Sequence, residues 1–152
     1  MSFRRSWQGS LADDALDTVE RTLRRAGMKR GERYISKVID HKGISDQGDL
    51  KGSINTKINR EPGRVSLEVG PDAKHAPFVQ FGTRPHWAPI APLRAWARRK
   101  LGDASAGYAV QKKIAREGTD PQDFLTGPGR KLSDEVPALL EDDIADRLNT
   151  NG

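Results

Sequence analysis

The chain has 152 residues, 35% of them hydrophobic, and 26 Lys and Arg stand against 21 Asp and Glu for a formal charge of +5. That length and apolar content suit one domain with a modest core, and the absence of cysteine excludes disulfide staples, thiolate catalysis and cysteine-based zinc sites. No apolar run approaches a membrane span, and Met1-Ser2-Phe3-Arg4-Arg5-Ser6-Trp7 carries charge without the apolar stretch of a secretory leader.

Residues 1–9 read as an N-terminal arm. Ser10 then reads as a helix N-cap, with Asp13 and Asp14 at the positive end of the helix dipole. Leu11, Ala15, Val19, Leu23 and Ala26 recur near helical period, and the pattern resumes with Tyr34, Ile35, Val38 and Ile39 before stopping at His41-Lys42-Gly43. Gly27 and Gly31 interrupt it. The reading is one long helix broken near those glycines, or two helices in series. After a polar stretch to Asp49, Leu50–Asn59 and Val65–Val69 flank the turn Arg60-Glu61-Pro62-Gly63. Val65, Leu67 and Val69 alternate with Ser66 and Glu68, so a β-hairpin with one buried face is predicted.

Gly70-Pro71-Asp72 breaks the chain. The short apolar run His75–Phe81 fits a third strand or a helical turn. Pro85, Pro89 and Pro92 make 82–92 a stiff loop that also carries His86, Trp87 and Ile90. Helices are predicted over Leu93–Leu101, Ser105–Arg116 and Leu132–Leu148. The last should turn Leu132, Val136, Leu139, Leu140, Ile144 and Leu148 to the core. Thr119–Lys131 reads as a loop and 149–152 as a fraying tail. The expected architecture is a single α+β domain over 1–152: a long N-terminal helix, a small antiparallel sheet with a β-hairpin, and C-terminal helices packed on it.

Catalytic and metal patterns are missing. His41, His75 and His86 lack metal-ligand spacing, and no Walker, dinucleotide-binding or nucleophile-elbow motif occurs. Asp13-Asp14 and Asp142-Asp143 are adjacent on helices and so do not face each other as acid/base pairs. No enzyme, no cofactor and no metal is expected, although a hydrolase acting on cell wall or nucleic acid is one rival reading. The densest basic segment, Arg94 with Arg98, Arg99 and Lys100 around Trp96, suits phosphate contact or an acidic partner. Trp96 falls on the apolar stripe, which favours a buried ring with the cations in water. A small basic nucleic-acid-binding protein is the main rival of another class. Phe78, Phe81 and Trp87 crowd one proline-stiffened stretch, and they either anchor it on the core or centre a protein interface.

Three ordered strings carry a family resemblance. His75-Ala76-Pro77-Phe78-Val79-Gln80-Phe81-Gly82-Thr83-Arg84-Pro85-His86, followed by Ala91-Pro92-Leu93 and Trp96, resembles the aromatic-rich "AP-aromatic-V-E-F-G-T-x-P-H" segment of the HK97 gp10-like family of phage tail-completion and head–tail joining proteins. Gly48-Asp49-Leu50-Lys51-Gly52-Ser53-Ile54 resembles that family's entry to its first strand, and Gly118-Thr119-Asp120-Pro121-Gln122-Asp123-Phe124-Leu125 its "GT-x-P-x-P-F-L" loop. The chain departs from the pattern at Gln80, where Glu is usual, and at Asp123 and Thr126-Gly127-Pro128-Gly129, where Pro and "RPA" are usual.

The resemblance implies a virion protein of the phage neck, assembled in the host cytoplasm and acting by non-covalent ring assembly, with six copies. Its partners would be the tail terminator or tail tube protein and the head connector or stopper, with non-specific contact to packaged DNA and none to membrane. A tail terminator or minor tail protein is the near alternative. Candidate interface residues are Phe78, Gln80, Phe81, Gly82, Thr83, Arg84, Pro85, His86, Trp87, Thr119, Pro121 and Phe124. Arg94, Arg98, Arg99 and Lys100 are candidate channel or acidic-partner contacts.

Overall fold

The computed structural model describes residues 2–8 and 13–150. In chain order its elements are β1 (Phe3–Gln8), α1 (Asp13–Thr22), a π-helical stretch (Leu23–Gly27), α2 (Met28–Lys42), α3 (Asp49–Gly52), β2 (Ile54–Glu61) and β3 (Arg64–Pro71). Then follow α4 (Ala76–Phe81), α5 (Ile90–Leu101), α6 (Ala106–Glu117) and α7 (Thr126–Thr150). The class is α+β, as the sequence predicts. The elements gather into two compact units, one formed by Met1–Lys74 with Phe124–Gly152 and the other by His75–Asp123.

In the first unit the helical run from Asp13 to Lys42 does not break at its glycines. Leu16, Val19, Leu23, Gly27, Gly31, Ile35 and Ile39 form its buried stripe. From Leu23 onward these positions are four apart, a spacing that creeps around an α-helix of 3.6 residues per turn. The wider π-helical turn at Leu23–Gly27 sets the stripe back toward one face. The expected N-cap Ser10 and the apolar Leu11 lie outside the described residues. The far end stops where predicted: Gly43 adopts φ 62°, its N–H donates to Asp40 O at 3.1 Å, and Ile44 N–H donates to Ile39 O at 3.3 Å.

The glycines expected to weaken the helix instead admit the sheet. A Cβ on Gly31 would stand 2.8 Å from Val69 Cγ2 and 3.3 Å from Leu132 Cδ2, and one on Gly27 would stand 3.0 Å from Leu67 Cδ2. Alanine normally stabilises a helix interior over glycine by about 1 kcal/mol. Here Gly31→Ala is expected to destabilise by about 1–2 kcal/mol because the packed methyls must shift. Urea unfolding of the variant reads the sign, and a stabilised Gly31→Ala protein would remove this account of the glycine.

The sheet is antiparallel with strand order β1-β3-β2. Central β3 buries Val65, Leu67 and Val69, as their alternation predicts, but Ser66 on the opposite face is buried too. Leu67 lies opposite Arg5 on one side and Ile58 on the other. Several boundaries differ from expectation: β2 runs through Arg60 and Glu61, read as turn, and β3 through Gly70 and Pro71, read as a break. Residues 3–8, read as an arm, form edge strand β1. The predicted strand from Leu50 instead begins at Ile54, because Asp49–Gly52 makes one helical turn that buries Leu50. Ser53 joins the two ends of this segment. Its hydroxyl donates to Leu50 O at 2.9 Å and accepts from Ala73 N–H at 3.2 Å.

The last helix also differs. It begins at Thr126, not Leu132, because Pro128 occupies a first-turn position whose N–H has no intrahelical partner. Leu132 and Val136 are buried as expected. Three turns on from Leu132 the core-facing position is Asp143, and Ile144 and Leu148 are exposed. The buried Asp143 carboxylate accepts from Thr22 Oγ1 at 2.8 Å and from Arg25 at 2.6 Å, which offsets its desolvation. Tyr34 Oη donates to Glu135 at 2.5 Å, and Arg30 reaches the same carboxylate at 3.2 Å. Hydrogen bonds from Arg24 and Arg60 hold the Glu20 carboxyl below its ordinary pKa.

Candidate docking site

The second unit is built on two Gly-Thr dipeptides that face each other. Thr83 N–H donates to Thr119 O at 3.0 Å, Thr119 N–H donates to Thr83 O at 3.1 Å, and the two hydroxyl oxygens lie 3.0 Å apart. The preceding glycines make this approach possible. Gly82 has φ 70° and ψ −176°, and Gly118 has φ 75° and ψ −154°, a region only glycine enters readily. A Cβ on Gly82 would lie 2.2 Å from Thr119 O, and one on Gly118 would lie 2.0 Å from Thr83 O. Each glycine therefore clears the other segment's carbonyl.

Further bonds extend this clasp along both segments. Gln122 N–H donates to Val79 O at 2.9 Å, and Gln80 Nε2 donates to Asp123 Oδ1 at 2.6 Å. His86 N–H donates to Ile114 O at 3.3 Å, and Gln111 Nε2 donates to Ala88 O at 2.7 Å. His86 Nδ1 lies 2.9 Å from Arg84 O. The proline-rich loop is thus fastened to α6 and to the segment after Gly118, which explains how it keeps one shape; it is shorter than the expected 82–92, because Ile90, Ala91 and Pro92 already form the first turn of α5. The run His75–Phe81, open between strand and helix in the sequence, is the helix α4, stopped by Gly82.

Phe78, Phe81 and Trp87 are 60%, 68% and 71% exposed, so none of them serves as a core anchor. Arg84, Pro85 and His86 are exposed, and so are Thr119 and Pro121 on the facing segment. Phe124 is fully buried, which makes it a fixed end of the segment and not a docking tip. Gln80 is buried. Gly82, Thr83 and Thr119 form the clasp itself, so two of the three family-like strings meet here, while Gly48–Ile54 belongs to the other unit. Sequence spacing gave no sign that Gln80 and Asp123 would pair.

Those two residues are departures from the family-like pattern, and they satisfy each other. Gln80 donates, whereas a glutamate at 80 would bring a second carboxylate against Asp123. Gln80→Glu is therefore expected to destabilise by about 1–3 kcal/mol at neutral pH. The paired acids would take up a proton more readily in the folded chain than in the unfolded one. The loss is then absent at acidic pH and appears as pH rises through the carboxylate range. Denaturant midpoints for the variant and wild type at pH 4 and pH 7 test this, and an equal deficit at both would dismiss the carboxylate clash.

On α5 and α6, Arg94, Arg98, Arg99 and Lys100 are exposed, and Arg94 lies over the Tyr108 ring at 5.6 Å. Trp96 is only half-buried, and Ala97 is the buried residue of α5. A Cβ on Gly107 would lie 2.8 Å from Arg94 N, so this glycine sets how closely α6 crosses α5. Ser105 donates both hydroxyl and amide to Asp103, holding that carboxyl below its ordinary pKa at the start of α6. Among the described residues no cluster of three His, Asp or Glu side chains could hold a metal ion, and no helix is long and apolar enough to cross a membrane.

A family model described as "Bacteriophage HK97-gp10, putative tail-component" matches residues 8–82. The match spans Gly48–Ile54 and ends at Gly82, so the facing Gly118–Leu125 segment lies beyond it. The chain has no match among curated proteins or among solved structures.

Proposed function

We propose, from the match of residues 8–82 to the HK97-gp10 tail-component family model, that the chain is a phage tail-related structural protein that completes the tail where it joins the head. The observation that carries this reading is the clasp. Reciprocal backbone bonds between Thr83 and Thr119 hold a stiff frame, and Phe78, Phe81 and Trp87 stand exposed in the same unit. Exposed aromatics on a rigid frame suit protein association, because rings supply contact area and a fixed backbone loses little entropy on docking. Copies of the chain would form a ring, six in number on the family resemblance. Its neighbours would be the tail terminator or tail tube protein on one side and the head connector or stopper on the other. The action is non-covalent assembly, with no bond made or broken.

The test is removal of the gene from its phage. Filled heads and finished tails that fail to join are expected, and added purified protein should restore joining. Tails of uncontrolled length would assign the chain to the terminator instead, and normal virions would end the proposal.

A further inference from the structure

The positive charge of this chain is not spread evenly. His75–Asp123 holds eight Lys and Arg against four Asp and Glu, a balance of +4 out of the +5 carried by the whole chain. Residues 73–102 contain no acidic residue at all. The other unit is close to neutral, and five of its cations pair with carboxylates: Arg24 to Glu20, Arg25 to Asp143, Arg30 to Glu135, Lys51 to Asp40, and Arg60 to both Asp17 and Glu20. Helix α5 carries Arg94, Arg98, Arg99 and Lys100 and no acid. Helix α6 carries Lys112, Lys113 and Arg116 and one acid, Glu117, bonded to Arg116 at 2.8 Å. All seven cations are exposed.

We propose that α5 and α6 form a surface for the phosphate backbone of duplex DNA, bound without regard to sequence. Two observations favour this partner. Charge is depleted at the centre of protein interfaces and concentrated on DNA-binding surfaces, and here two packed helices present cations with almost no acid. Arg94 and Arg98 are four residues apart, a rise of about 6 Å, close to two phosphate steps of one strand at about 3.4 Å each along the axis. The inference stands on charge and exposure, independent of the neck assignment.

The experiment is a salt titration of the full chain against a random-sequence duplex of about 30 base pairs, followed by fluorescence anisotropy. Binding should weaken steeply with salt, by about 0.9 log units per log salt for each phosphate neutralised. Replacing Arg98, Lys112 and Lys113 by Gln should weaken binding at least tenfold and flatten that slope by about 2–3. The same charge removal on α2, by Lys29→Gln, Arg33→Gln and Lys37→Gln, should have a smaller effect, with circular dichroism confirming both folds. Equal losses from the two triple variants, tighter binding to single strands, or preferential binding of polyglutamate over the duplex would overturn the proposal. So would an absence of binding at 50 mM salt.

Discussion

Replacing Gly118 by alanine is expected to cost more than about 3 kcal/mol and to open the clasp. The new Cβ would stand 2.0 Å from Thr83 O, a backbone atom that cannot rotate away, and the position has φ 75° and ψ −154°. Steric overlap and backbone strain act together there, and each belongs to the short list of mechanisms behind unusually large losses. Gly82→Ala meets the same two problems, with Thr119 O at 2.2 Å. Gly127 supplies the control: it lies in the first turn of α7 with nothing within 4 Å of its added Cβ, so Gly127→Ala should be neutral or stabilise by up to about 1 kcal/mol. Thermal unfolding gives the stabilities, and hydrogen exchange gives the protection of the Thr83 and Thr119 amides. A Gly118→Ala protein as stable as wild type, with both amides still protected, would show that the clasp does not hold the unit.

Changing Phe78, Phe81 and Trp87 together to Ser should leave the fold intact and abolish assembly. Exposed side chains contribute little to folding, so the melting temperature should move by no more than a few degrees. Aromatic anchors at the centre of interfaces commonly contribute about 2 kcal/mol or more each, so losing three per copy weakens each contact by about ten-thousandfold where the losses add. Complementation of a phage lacking the gene reads this directly. Infectious particles should fall by several orders of magnitude, with unjoined heads and tails in the lysate. Wild-type titres from a properly folded triple variant would remove these rings from the interface and leave the proposed mode of docking without support.

The two variants fail in distinguishable ways. Gly118→Ala loses shape first and assembly as a consequence. The aromatic triple keeps shape and loses only the partner. The clasp is thus a positioning device, and the rings are the contacts it positions.

Period and composition were enough to place much of this fold. The strict alternation of Val65, Leu67 and Val69 marked a strand with one buried face, and the stop at Gly43 followed from its place after His41 and Lys42. Both depend on neighbours in the chain. The family-like strings also mark the segments that form the clasp, since Gly82-Thr83 and Gly118-Thr119 both lie within them. The acid-free run 73–102 is likewise legible in the sequence.

Other features depended on partners far away in the chain. Gly27 and Gly31 read as helix breakers until Leu67 and Val69 pack against them and make the missing side chain a requirement. Ile144 read as core, yet three turns from Leu132 bring Asp143 inward, to be met by Thr22 and Arg25 more than a hundred residues earlier. Gln80 and Asp123, two separate departures from the family-like pattern, become a bonded pair only after the two Gly-Thr dipeptides close. The sequence by itself determined the α+β class, the hairpin, the helix stop at Gly43 and the family-like strings, because those depend on local period, turn chemistry and residue identity. Tertiary structure alone decided which glycines are spaces, which aromatics stay outside and which carboxylate is buried, because each of those outcomes is set by the side chain that arrives from another part of the fold.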